Sequence, residues 1–123
     1  MLEKLSTPLI IVCCKYKNVL KRFIDHYSDV GICIYDNIFC DEHHSELERL
    51  WKERKELILR YPNEHILYTT QSYEIIEAAV NAFEDNQNLI SYVRIDLIDG
   101  ELKFKEFTYN MLKLAIDCNL EIR

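Results

Sequence analysis

Asp36, Cys40, Asp41, Glu42, His43 and His44 crowd the chain's metal-binding and nucleophilic side chains into one short stretch. Cys40 and His43 are spaced to share a zinc ion, but zinc takes four ligands in a tetrahedron. His26 or Cys118 would have to arrive from elsewhere, because the sequence has no Cys-x-x-Cys and no second His pair. On ligand count no metal site is expected, and Cys40 and His43 are the candidates if one forms. A second chemistry is nucleophilic: a Cys40 thiolate near a helix start, paired with His43 or His44. A third is Mg²⁺ held by Asp36, Asp41 and Glu42. The plain alternative is a solvated loop whose acids complement the N-terminal end of the next helix.

The flanking segments would position these groups. Leu9 to Cys14 is a continuous aliphatic run, the pattern of a strand covered on both faces. Val19, Leu20, Phe23, Ile24 and Tyr27 recur at helical spacing, and Gly31 ends that helix before a strand from Ile32 to Asp36. His43 to Tyr61 reads as an amphipathic helix with Leu47, Leu50, Trp51, Leu57 and Ile58 on one side, stopped by Pro62. His65 to Thr70 is the next strand, and Ser72 caps a helix carrying Ile75, Ile76, Ala79, Val80 and Phe83. Tyr92 to Ile98 and Leu102 to Phe107 alternate around Asp99-Gly100, a type I′ hairpin signal. A helix from about Tyr109 to Cys118 closes the chain. The pattern predicts one α/β domain over residues 1–123: three layers, a mainly parallel sheet with right-handed crossovers, and a C-terminal antiparallel hairpin at one edge.

Composition narrows the classes. With 49% apolar residues, two Gly and two Pro, the chain reads as globular. No apolar run approaches the ~20 residues that span a bilayer, and Met1-Leu2-Glu3-Lys4 shows no secretion leader. A soluble, cytoplasmic chain without membrane contact is expected. Five cysteines are an odd number, so reduced thiols are expected, with Cys13, Cys14 and Cys33 acting as small buried hydrophobes. A net charge of −6 argues against direct nucleic-acid binding. Lys15, Lys17, Lys21 and Arg22, and Lys52, Arg54 and Lys55, read as solvated helix faces. Tyr16, Tyr27, Tyr35, Tyr61, Tyr68 and Tyr73 suit an adhesive surface or ordinary half-buried sheet positions.

In order along the chain stand Tyr35-Asp36-Asn37, Cys40-Asp41-Glu42-His43, Leu47-x-x-Leu50-Trp51, Thr69-Thr70-Gln71-Ser72, Tyr92-Val93-Arg94-Ile95 and Glu121-Ile122-Arg123. From Ile32 to Arg123 the chain thereby resembles the C-terminal part of AAA-type, ABC-like P-loop ATPases of the kind grouped with the overcoming-lysogenization-defect nucleases. The resemblance implies a P-loop-ATPase-like half core. It places Asp36 where the Walker B aspartate holds Mg²⁺ and Asn37 where a catalytic glutamate would stand. Gln71 takes the place of a histidine that contacts the γ-phosphate. Asn37 cannot accept a proton, and Gln71 can only donate or accept a hydrogen bond. With Gly31 and Gly100 the only glycines, no phosphate-binding G-x-x-x-x-G-K-[ST] loop exists here.

Asp36, Asn37 and Gln71 are accordingly expected to form the rim of a degenerate Mg-nucleotide site with no catalytic residue. Asp36→Ala should then leave stability almost unchanged. In such cores the phosphate-loop strand lies centrally, beside the strand that ends here at Thr70. Three arrangements could fill its place: Leu9–Cys14 takes it, Leu67–Thr70 pairs directly with Tyr92–Ile98, or another chain supplies the strand. The leading expectation is a non-catalytic interaction or regulatory module that pairs with itself or with a complete ATPase subunit and has no cofactor of its own. The alternative is a split ATPase subunit contributing Asp36 in trans, with Mg-ATP bound only when a partner supplies the phosphate loop. A third class is a small flavodoxin-like signalling or redox module with a ligand or reactive thiol at Cys40.

Overall fold

A computed structural model of the chain describes residues 7–29 and 31–123. The reading of Met1-Leu2-Glu3-Lys4 lies outside them. Five strands and four helices alternate as β1 (Leu9–Cys14), α1 (Lys17–Asp29), β2 (Cys33–Tyr35), α2 (Leu47–Arg60), β3 (Ile66–Thr69), α3 (Tyr73–Ala82), β4 (Ile90–Ile98), β5 (Glu101–Phe107) and α4 (Tyr109–Asp117). Single 3-10 turns precede α2 and β4. The strands form one sheet in the order β2-β3-β1-β4-β5, parallel except for the β4-β5 hairpin. Asp99 and Gly100 carry φ of 51° and 78°, the left-handed pair that a type I′ turn requires.

β1, the Leu9–Cys14 run, is the central strand of the sheet, so β3 and β4 do not pair directly. β1 pairs with β3 on one side and β4 on the other, so that Ile11 faces Tyr68 and Tyr92 across the two ladders. All six of its residues are buried, as its unbroken aliphatic run requires. Ile10, Val12 and Cys14 point to the face covered by Phe23 and Tyr27 of α1. Leu9, Ile11 and Cys13 point to the larger core under α2, α3 and α4. The two edges are guarded differently. β2 is only three residues long, whereas β5 carries Glu101, Lys103, Lys105 and Glu106. Short edges and charged edges both discourage unwanted strand pairing.

Trp51 ties the larger core together. Its ring meets Phe39 and Tyr68 edge-on at 5.0 and 5.1 Å, and its Nε1–H donates to the Ile75 carbonyl at 2.9 Å. At the far end of the chain Ile122 is fully buried; the Tyr92 hydroxyl donates to its carbonyl, and Arg94 Nη1 donates to the Glu121 carbonyl at 3.2 Å. The Ser72 cap forms as expected, its Oγ accepting from Ile75 N at 3.3 Å.

Three expectations need correction. The helix after the loop starts at Leu47 rather than His43, because the His43 ring caps the preceding 3-10 turn by accepting from Ser45 N at 3.2 Å. Leu57, expected on the inward side, is 40% exposed at the β2 edge of the sheet, where it lines a small open cavity with Cys33 and Tyr35. Cys33 is exposed instead of buried for the same reason: β2 has one neighbour and little cover. Cys13 and Cys14 are buried, and burial pushes both thiols above the ordinary cysteine range. A thiol-reactive dye should therefore label Cys33, Cys40 and Cys118 quickly in the native protein, and reach Cys13 and Cys14 only after denaturation. Five fast-reacting thiols in the native state would contradict the placement of β1.

Candidate functional site

β1 runs into α1 on one face of the sheet, and β3 runs into α3 on the other. Where neighbouring parallel strands send their chains to opposite faces, a crevice opens beyond their C-terminal ends. Here it has a volume of about 460 Å³. Val12, Cys14, Leu20 and Ile24 give it an apolar wall, and Lys17, Lys21, Asp36, Asn37, Thr70 and Gln71 its polar groups. The three rim residues expected from sequence, Asp36, Asn37 and Gln71, thus meet around one cavity.

The loop after β2 is fastened to β3 by side-chain as well as backbone bonds. The buried Thr69 hydroxyl donates to Asp36 Oδ1 and accepts from Asn37 N at 2.7 Å, while Ile38 N donates to the Thr69 carbonyl at 3.0 Å. Asn37 turns the chain with φ of 54°, a conformation Asn tolerates better than most residues. Phe39 holds a similar φ of 57° without that tolerance, and the edge-on contact with Trp51 keeps it there. Thr70 N donates to the Val12 carbonyl at 3.1 Å, and Thr70 Oγ1 accepts from Ser72 N at 3.1 Å. Gln71 stays exposed at the mouth.

Lys17 and Lys21, one turn apart on α1, face Asp36 across the crevice. The first turn of α1 carries no acid, so the positive end of that helix adds to the field that Lys17 would present to an anion. The arrangement can seat an anionic group against α1 and a cation or donor against Asp36. It offers no proton acceptor at position 37, where the side chain is an amide. The burial that raises the Cys14 thiol keeps it protonated on the wall.

The Cys40 cluster lies beside this crevice in a second groove of about 600 Å³, which shares Asn37, Thr70 and Gln71 with it. His43 is committed there: its Nδ1 caps the 3-10 turn, shares a hydrogen bond with Ser45 Oγ at 2.8 Å, and its ring stacks on His44 at 4.4 Å. Neither His26 nor Cys118 joins Cys40 and His43. Asp36, Asp41 and Glu42 do not converge either: among the described residues no three His, Cys, Asp or Glu side chains gather as a ligand set. The residues that sequence reasoning passed over are Lys17 and Lys21, read as a solvated face. The signal was present, since they recur four apart on the helix that directly follows the first strand. No protein-family model, curated protein or solved structure matches the chain.

Proposed function

We propose that the protein is a non-catalytic interaction or regulatory module built on the later half of an ABC-like ATPase core. The observation that carries this reading is the place of β1. It lies between β3 and β4, the position the phosphate-loop strand would hold in such a core, and it reaches α1 through Lys15 and Tyr16 alone. Two residues without glycine cannot wrap a polyphosphate in backbone amides. Asn37 beside Asp36 supplies no base for an attacking water. Mg-ATP is therefore a poor fit as a substrate of this chain.

The split-ATPase alternative is weakened by the same strand. A partner bearing a phosphate loop would have to displace β1 from ladders on both sides. Association through the surface is simpler. Leu97 and Leu102 form a cross-strand pair on the hairpin and are each 41% exposed, an apolar contact for a second copy or for a complete ATPase subunit.

Asp36→Ala tests the crevice. The carboxylate accepts from the buried Thr69 hydroxyl, so its removal should cost about 2 kcal/mol. That revises the expectation that stability would hardly change. Phosphate release from Mg-ATP should stay at the no-protein baseline in both the wild type and this variant. Release by the wild type that Asp36→Ala abolishes would overturn the non-catalytic reading.

A further inference from the structure

Under α2, at the β2 edge of the sheet, lies a smaller cavity of about 190 Å³ that is separate from the crevice. Cys33, Tyr35, Arg54, Leu57, Tyr61 and Tyr68 line it. Tyr68 is fully buried, and its hydroxyl is the one buried side-chain polar atom among the described residues with no hydrogen-bond partner. The ring is held from two sides. It stacks on Tyr35 at 5.3 Å and meets Trp51 edge-on at 5.1 Å, so it cannot swing out to find an acceptor. Phenylalanine would fill the same space without stranding a polar group.

The neighbouring charge is also a donor. The Arg54 guanidinium lies 4.9 Å from the Tyr35 ring centroid, and among the described residues it has no ion-pair partner. Even where Arg54 approaches the phenol oxygen, it has only N–H groups to offer, so the phenol proton still lacks an acceptor. Burial pushes the Tyr68 hydroxyl up to about 12, which keeps that proton in place at neutral pH. Glu64 also lines the cavity, but its carboxylate is exposed and forms no ion pair with Arg54. Aliphatic and aromatic side chains make up most of the remaining wall. At about 30 Å³ of liquid volume per water, the cavity has room for roughly six waters. That suits a small molecule such as benzoate.

We propose that this cavity is a binding site for a small carboxylate with an apolar body, its oxygens accepting from the Tyr68 hydroxyl and the Arg54 guanidinium. The body then lies against Leu57, Tyr61 and the stacked tyrosines. A stranded donor of this kind costs the free fold stability, and a ligand that satisfies it recovers the cost on binding.

Benzoate titrated into the full chain by ligand-observed NMR is the probe, with benzamide as its neutral counterpart. Saturable one-to-one binding of benzoate alone is expected, weakened about tenfold or more in Tyr68→Phe and in Arg54→Gln. Tyr68→Phe should melt at or above the wild-type temperature, because the lost hydroxyl had no partner. Arg54→Gln probes the same contact from outside the core. Absent saturation, equal binding by both variants, or equal binding of benzamide would overturn the proposal. So would a Tyr68→Phe melting point several degrees below wild type, which would make the hydroxyl structural.

Discussion

Trp51→Ala should cost about 4 kcal/mol of stability, within the range for removing a fully buried tryptophan. The residue is wholly inaccessible and lies against Phe39, Tyr68 and Phe83, from the loop after β2, from β3 and from the end of α3. Removal leaves a cavity bordered by three aromatic rings. It also withdraws the indole donor from the Ile75 carbonyl. Phe39 would lose the contact that offsets its positive φ, and the loop carrying Asp36 and Asn37 should loosen with it. Since a domain of this size is stable by about 5–15 kcal/mol, the loss is a large share of the total. Chemical denaturation of the two proteins measures it. A difference below about 1 kcal/mol would mean that Trp51 does not hold these three elements together.

A larger effect is expected from Ile11→Asp. Ile11 is fully buried at the middle of β1, with Tyr68 and Tyr92 opposite it on the two flanking strands. A carboxylate there has no cation beside it. Breaking apolar cover around a buried, unpaired charge costs several kcal/mol even after relaxation. The variant should show no cooperative melting transition by circular dichroism. Were it to melt within a few degrees of wild type, β1 could not lie at the sheet centre, and the three arrangements would be open again.

Most of the element order was legible, because each segment carries a period of its own. Leu9–Cys14 is aliphatic throughout, α1 and α3 repeat at helical spacing, and Asp99-Gly100 marks its turn by backbone chemistry. The neighbours of β1 were not legible. An unbroken apolar run says that both faces are covered, but nothing in six residues names the strands on either side. The start of α2 was misjudged because His43, Ser45 and Glu46 suit a polar first turn as well as a 3-10 turn. Leu57 and Cys33 were misplaced by a tertiary fact, the position of the three-residue strand β2 at the edge of the sheet.

The candidate site divides the same way. Asp36, Asn37 and Gln71 were readable as one rim because each stands just past the end of a parallel strand, where such sheets gather their sites. Lys17 and Lys21 were not, since a lysine pair on an amphipathic helix looks solvated until the crevice beside it is seen. The stranded Tyr68 hydroxyl was out of reach altogether. A tyrosine in a strand is ordinary, and only packing reveals whether its proton has an acceptor.

If the module proposed above is non-hydrolytic, its sheet needs no partner strand, since β1 already fills the centre, and its assembly needs no nucleotide. The most direct test of this claim is the mass in solution by light scattering, with and without Mg-ATP, alongside thermal unfolding. The account predicts a cooperatively folded species whose mass is a whole multiple of 14.8 kDa, with mass and melting temperature unchanged by Mg-ATP. A nucleotide-dependent change in either quantity would contradict it and favour a half-site that works with a phosphate loop from another chain.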